Sequence, residues 1–213
     1  RPHRLLNCRP PGALRALLEV DGKKSEERVA GRTGCGAVMG SKNLKAVIVN
    51  GSKKLPIERP EAHKKLQKTM TRFLLDHPMT GSILKRLGPA SLVATTSGRN
   101  ILPVHNFQRG SDLRALQIGG ELLARDYLKK NVGCQSCPIL CGRGISSLGI
   151  VPEEADGPSP HPKREAITKG PEYETLGLMG VNIGCFDLQQ IFQWNYLCDD
   201  LGMDTISTGG AIG

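Results

Sequence analysis

Cys134-Gln135-Ser136-Cys137-Pro138-Ile139-Leu140-Cys141 places three thiols within eight residues. C-x2-C-x3-C spacing lets a short stretch of backbone curl and turn three sulfurs toward one soft metal centre, with the last ligand supplied from elsewhere. An iron–sulfur cube suits this arrangement, because one compact loop can hold three iron corners and a distant residue the fourth. Tetrahedral zinc needs a fourth ligand too, and His105, His161 and Cys185 are the candidates. The plainest alternative is three reduced, buried cysteines of an intracellular protein. Spacing alone leaves iron–sulfur and zinc open.

Working outward, Glu121–Lys130 is expected to be a helix that carries the chain into this loop. Downstream, residues 147–170 hold Pro152, Pro158, Pro160 and Pro162 among acidic residues and read as an exposed insertion, which makes His161 a poor metal candidate. Helical character returns at Pro171-Glu172-Tyr173-Glu174, proline being suited to a first helical turn. Asp187 is the expected N-cap of a helix running through Ile191, Phe192, Trp194 and Leu197 to Leu201, where Gly202 stops it. That helix is apolar nearly all round and is expected to be buried inside a larger body.

Upstream, Glu61 begins a helical pattern with Leu66, Met70, Phe73 and Leu74 on one face, ended by Pro78. A short helix over 80–88 is stopped by Gly88-Pro89. Gly98–Phe107 is a polar loop whose lone His105 has an ordinary hydrogen-bonded role as its simplest reading. Lys53–Pro60 reads as a linker. Before it, Arg32-Thr33-Gly34-Cys35-Gly36 through Gly40-Ser41-Lys42 and Lys45 combines glycines with cationic side chains, then gives way to a β-branched strand; exposed backbone N–H groups and positive charge make a phosphate site physically reasonable. This is neither a Walker loop, since Lys42 follows Ser41, nor a dinucleotide fingerprint, since Gly40 falls one residue late. As a bare motif it is equally a structural turn. Leu18-Glu19-Val20-Asp21-Gly22 reads as a strand entering an Asp-Gly turn, with its partner resuming near Arg28. Residues 1–18 lack clean periodicity and are assigned no element.

The charge is lopsided. Of the net +9, residues 1–60 contribute 13 Lys/Arg against 5 Asp/Glu, and the rest is nearly balanced at 16 against 15. Such a basic segment can meet an acidic membrane, nucleic acid or a phosphorylated cofactor. Only 4% of residues are aromatic, which leaves little to build base-stacking platforms, and no nucleic-acid-binding signature is present. No apolar run approaches the ~20 residues that span a bilayer. Neither nucleic acid nor membrane is therefore expected as a partner. Seven cysteines, an odd number with three clustered, fit a reducing compartment, and a cytoplasmic location is expected. The chain starts at Arg1 and stops inside Thr208–Gly213, where a new element begins, so an internal piece of a longer protein is expected.

Three segments together resemble the aldehyde:ferredoxin oxidoreductase family, tungsten-pterin enzymes that also carry a 4Fe–4S cluster. They are GRTGCGAVMGSKNLKAVIVNG (31–51), CQSCPILCGR (134–143) with the preceding LPVHNF (102–107), and GPEYETLGLMGVNIG with LCDDLGMDTISTGGAIG (170–213). The likeness spans about residues 20–213. It implies an α+β fold, with residues 1–52 closing an N-terminal β-sheet domain and residues 60–213 opening a mainly α-helical domain, both incomplete.

The resemblance further implies tungsten or molybdenum held between two molybdopterins whose phosphates are bridged by magnesium, a hard cation suited to phosphate oxygens. Arg32, Thr33 and Gly34 match a phosphate and magnesium contact region. Asp199-Asp200-Leu201-Gly202-Met203-Asp204 matches the family's Asp-x-x-Gly-Leu-Asp pterin motif with methionine for leucine, so Asp199, Gly202 and Asp204 are candidate pterin contacts. The bland reading of this stretch is a solvated helix end. Tyr173 and Glu174 match the catalytic pair near the metal, where a carboxylate can move a proton during two-electron oxidation; for Glu174 the alternative is an ordinary first-turn helix acid. Cys134, Cys137 and Cys141 match three cluster ligands, the fourth lying beyond position 213 in the family, while Cys185 and Cys198 match none and read as core residues. Expected partners are a small aldehyde, ferredoxin or a similar carrier, and a second copy in a homodimer; the fragment alone is expected to be inactive. Two other readings remain: an iron–sulfur electron-transfer subunit without pterin, and a zinc-stapled module with a basic anion-binding face.

Overall fold

The computed structural model describes residues 3–9, 13–20, 23–29, 35–44, 48–49, 55–134, 136–146, 150 and 167–213. The fold is α+β. Near the N-terminus, β1 (His3–Arg9), β2 (Ala13–Val20), β3 (Lys23–Val29) and β4 (Ile48–Val49) form an antiparallel sheet in the order β3-β2-β1-β4. A β2–β3 hairpin spans Asp21-Gly22, which lie outside the described residues, and β3 begins at Lys23, earlier than the expected start near Arg28. β1 and most of β2, by contrast, occupy residues to which the sequence assigns no element, because pairing with neighbours supplies what local periodicity lacks. The glycine-rich stretch also differs from expectation: a helix, α1 (Cys35–Ser41), precedes the β-branched strand.

Helix α2 (Pro60–Asp76) begins with Pro60 at its first position and contains no buried residue. Its apolar face, Leu66, Met70 and Phe73, is exposed. A π-turn at Pro78–Ile83 leads into α3 (Leu84–Leu87), which ends at Gly88, and α4 (Ser91–Gly98) follows. After a 3-10 turn at Leu113–Ile118 come α5 (Gly120–Leu122) and a π-turn at Leu123–Tyr127. Here the expected Glu121–Lys130 helix stops early. Leu128 turns extended, and β5 (Leu128–Val132) enters an antiparallel sheet with β6 (Gly142–Ser146) and β7 (Ile167–Lys169), in the order β5-β6-β7. β7 occupies the end of the stretch read as an insertion, and Ile150 within that stretch is buried; His161 lies outside the described residues.

The chain ends in α6 (Tyr173–Thr175), continued by a π-turn at Leu176–Gly180, then α7 (Leu188–Leu201) and α8 (Thr205–Ile212). Caps explain these limits. The Asp187 carboxylate accepts from the N–H groups of Gln189 and Gln190, and Gly202 adopts the left-handed conformation (φ 73°) that closes α7. Contrary to the expectation of burial all round, α7 buries one stripe, Leu188, Ile191, Phe192, Asn195 and Cys198, and exposes Leu197 and Leu201. The core joins that stripe to Ala90 and Val93 of α4, Leu102, Val104, Ile118, Leu123, Ile145, Leu176 and Val181. This core sets the second sheet beside the α6–α8 segment.

Candidate functional site

The cysteine loop is the tip of the β5–β6 hairpin. Val132 pairs with Gly142, so Cys134 stands two residues past one foot and Cys141 immediately before the other. Inside the loop, Cys137 N–H donates to the Cys134 carbonyl at 3.0 Å, and Ser136 (φ 63°) and Leu140 (φ 54°) take left-handed conformations that bend the backbone sharply. Cys134 is exposed; Cys137 and Cys141 are half-buried. Burial pushes the Cys141 thiol above its ordinary range, and the charges of Glu172, Cys137 and Cys134 push in the same direction. Among the described residues, no three His, Cys, Asp or Glu side chains are drawn around a single point.

One guanidinium fixes the base of this loop. Arg143, on β6, is 2% exposed and donates to five backbone carbonyls: Leu140 (3.0 Å), Cys141 (3.1 Å), Lys85 (3.1 Å), Arg86 (3.0 Å) and, weakly, Leu84 (3.5 Å). It thus ties the end of α3 to the cysteine loop, taking up the Lys85 and Arg86 carbonyls, which have no intrahelical partner, and sharing the Leu84 carbonyl with the Gly88 N–H. Burial draws its pKa below the ordinary arginine range, and the charges of Cys141 and Glu172 oppose that shift. Gly88 completes the contact. Its φ of 67° with ψ of −166° is essentially glycine-only, and an added Cβ would stand 2.7 Å from the Cys141 carbonyl oxygen and 2.8 Å from Arg143 Nε. The sequence contains Arg143 at the end of its cysteine motif, but a role that depends on reaching back to residues 84–86 leaves no local signal.

The second group of candidates gathers on α6–α8. Tyr173 packs against the core and its hydroxyl donates to Thr96 Oγ1 on α4 (3.2 Å), which donates onward to the Leu92 carbonyl (2.7 Å). Glu174 follows in the first turn of α6, half-buried. Next to it, Thr175 Oγ1 lies 2.8 Å from Thr205 Oγ1 on α8 and donates to Asn195 Oδ1 on α7 at 3.5 Å. Since each hydroxyl has one proton, Thr205 is then the donor to Thr175. These buried polar groups hold the start of α6 against the turn between α7 and α8. In that turn Asp199 and Asp204 flank Gly202, both half-buried. Asp204 has a structural task as well: its Oδ2 accepts from the N–H and hydroxyl of Ser207, each at 2.9 Å, and caps α8.

The structure therefore joins α6, which carries Tyr173 and Glu174, to the α7–α8 turn through Thr175 and Thr205, and sets Cys134, Cys137 and Cys141 on one hairpin loop without drawing their sulfurs around a single point. Arg32, Thr33 and Gly34 lie outside the described residues. Of the alternative fourth ligands, Cys185 directs its sulfur to the Asp187 carbonyl (3.8 Å) and His105 stacks edge-on against Phe186, while Cys198 is buried in the core as expected. Thr96, Thr175, Asn195 and Thr205 were not singled out by sequence; buried hydroxyls and amides look like any others until their partners are known.

Comparison with known proteins gives the chain its family. Residues 65–213 match the family model described as aldehyde ferredoxin oxidoreductase, domains 2 and 3, and residues 15–51 match the N-terminal domain of the same family. The chain belongs to the aldehyde ferredoxin oxidoreductase family. It is 42% identical over 185 residues to a tungsten-containing aldehyde ferredoxin oxidoreductase of Pyrococcus furiosus, and 38% identical over 185 residues to the protein of that description from Thermococcus kodakarensis; each match covers 87% of this chain and 28% of the relative. It is also 32% identical over 190 residues to the WOR-like subunit of an aliphatic sulfonate oxidoreductase of Pyrococcus furiosus, covering 86% of this chain and 27% of that protein. The chain thus spans between a quarter and a third of the length of these relatives.

Proposed function

We propose that this chain forms part of an enzyme that oxidises an aldehyde, or a related oxo substrate, to the carboxylic acid at a tungsten or molybdenum bis-molybdopterin centre. Electrons pass through a 4Fe–4S cluster to ferredoxin or a similar carrier, in the cytoplasm. The observation that carries the reading is that the α6 start and the Asp199–Asp204 turn, two separate parts of the family pattern, are joined through Thr175 and Thr205 (2.8 Å). No helix among the described residues is long and apolar enough to cross a membrane. In this reading residues 1–52 belong to an N-terminal β domain and residues 60–213 to a helical domain.

Aldehyde and water become acid, two protons and two electrons. When bound, the pterin-held metal would supply the two-electron acceptor for that step. Glu174 would take up a proton beside the reacting carbon, and Tyr173, held by Thr96, would orient the substrate side. Asp199 and Asp204 would accept hydrogen bonds from pterin N–H groups, with Asp204 doing so while capping α8. Arg32, Thr33 and Gly34 would face the pterin phosphates and their bridging magnesium. Cys134, Cys137 and Cys141 would hold three irons, thiolates being the donors that iron–sulfur clusters take.

The test is metal, sulfide and pterin analysis of the anaerobically purified protein as its gene encodes it, with aldehyde-dependent reduction of ferredoxin. Iron, sulfide, pterin and tungsten or molybdenum with turnover are expected. Zinc without iron or sulfide defeats both redox readings, iron and sulfide without pterin favours an electron-transfer subunit, and a fully loaded protein without aldehyde-dependent electron transfer refutes the activity.

A further inference from the structure

Arg143 is an unusual group to find in the interior. A guanidinium stays protonated in proteins, and a buried charge is tolerated where it is paired or fully hydrogen-bonded. Here its hydrogen bonds go to neutral carbonyls, three at the end of α3 and two in the cysteine loop, Leu140 and Cys141. Carbonyl dipoles satisfy its N–H groups without carrying a net negative charge; the negative charge that acts on the guanidinium comes from Glu172 and Cys141. Arg143 sits two residues from Cys141, whose carbonyl it grips at 3.1 Å. Gly170 N–H donates to the Arg143 carbonyl at 2.7 Å, so the residue is anchored at its backbone as well as its fork. Two functions coincide in one side chain: it sets where the second foot of the loop stands, and it puts a fixed positive charge against the backbone of Cys141.

We propose that Arg143 is the positioning residue of the cysteine loop, clamping the Leu140 and Cys141 carbonyls to α3 and raising the reduction potential of the iron–sulfur cluster held there. The inference rests on the cluster reading given above. A thiolate-bound cluster is negatively charged and becomes more so on reduction, so a fixed cation beside it favours the reduced form in an interior of low dielectric. The same cluster would add to the negative charge that Glu172 already brings to bear on the buried guanidinium. Arginine is required for the clamp because its planar fork reaches carbonyls on two elements at once; lysine brings the charge without the fork.

Three proteins separate the two functions: wild type, Arg143→Gln and Arg143→Lys, each purified anaerobically in the form its gene encodes. Iron and sulfide content, the rate of iron loss to a chelator, far-ultraviolet circular dichroism and a spectroscopic redox titration are measured. At the potential that half-reduces the wild-type cluster, Arg143→Gln should show about a tenfold lower ratio of reduced to oxidised cluster, equivalent to about 59 mV for one electron. Arg143→Lys should remain within threefold of wild type in that ratio, yet both variants should lose iron at least tenfold faster. Should Arg143→Gln fail to fold, Arg143→Lys decides: faster iron release at a retained potential supports the clamp, and wild-type release overturns it. An iron-loaded Arg143→Gln protein with unchanged potential, or an equal fall in both variants, also overturns the inference. Wild-type protein lacking iron and sulfide instead refutes the cluster reading itself.

Discussion

The cysteine hairpin and the α6–α8 segment are held by opposite means. The hairpin loop hangs on few groups: one guanidinium spread over five carbonyls, with Gly88 providing the space for it. The α6–α8 segment is secured by many small ones, namely the Thr175–Thr205–Asn195 cluster, the caps at Asp187 and Asp204, and the apolar stripe of α7. A loop that must place three sulfurs has little apolar surface to pack, so charge and backbone bonds do what a core does elsewhere. Failure should accordingly be abrupt in the hairpin and graded in the helices.

The largest expected effect is at Gly88. Gly88→Ala forces a Cβ into a glycine-only conformation and against the Cys141 carbonyl, and should cost about 3 kcal/mol or more in denaturant unfolding. A loss under 1 kcal/mol would show the hairpin to be as adaptable as the helices. Thr175→Val should cost about 1–2 kcal/mol by leaving Thr205 and Asn195 short of a partner, whereas Thr175→Val with Thr205→Val should cost less than the sum of the single changes. Strict additivity would mean the two hydroxyls do not act as a pair.

Asp204 permits a sharper separation of roles. Asp204→Ala should cost about 1 kcal/mol from loss of the α8 cap, and Asp204→Asn only a few tenths, since asparagine caps about as well. If the carboxylate also holds pterin, Asp204→Asn should fold normally and retain less pterin; wild-type pterin content in that variant would confine Asp204 to capping. The smallest effect concerns Asp112, before the 3-10 turn. Its hydrogen bond from Arg114 holds the carboxyl down at about 2, against an ordinary value of about 3.9. A group depressed in the folded state stabilises above its unfolded pKa and loses that contribution as pH falls from about 4 toward 2. Acid unfolding of Asp112→Asn should therefore converge with wild type over that window, and parallel curves would show that the pair contributes nothing.

What could be read from sequence divides along the same line. The limits of α7 were legible at Asp187 and Gly202 because capping and left-handed termination are chemistry of a few adjacent residues. The break at Leu128 was not, since Leu128–Val132 becomes a strand by pairing with Gly142–Ser146, and nothing in its own residues announces the partner. Residues 3–9 illustrate the same blindness at the other end of the chain. The cysteines were visible as a motif, as were Tyr173, Glu174 and the Asp199–Asp204 turn; what supports them was hidden, because Arg143 and Thr175 act through residues 57 and 30 positions away.

That long reach gives the cysteine hairpin an order of assembly. Val132 and Gly142 enclose only nine residues, and a local hairpin closes in about 1–10 μs, whereas the bond from Arg143 to the Arg86 carbonyl must first bring distant chain together. The thiols are then gathered before the clamp shuts, during an interval when the loop is open to an arriving metal. Contacts made after the folding barrier slow escape from the native state without hastening entry to it. Arg143→Lys should accordingly speed unfolding and leave the refolding rate near wild type, a pair of rates that stopped-flow measurements can read; slowed refolding would place the clamp before the barrier instead.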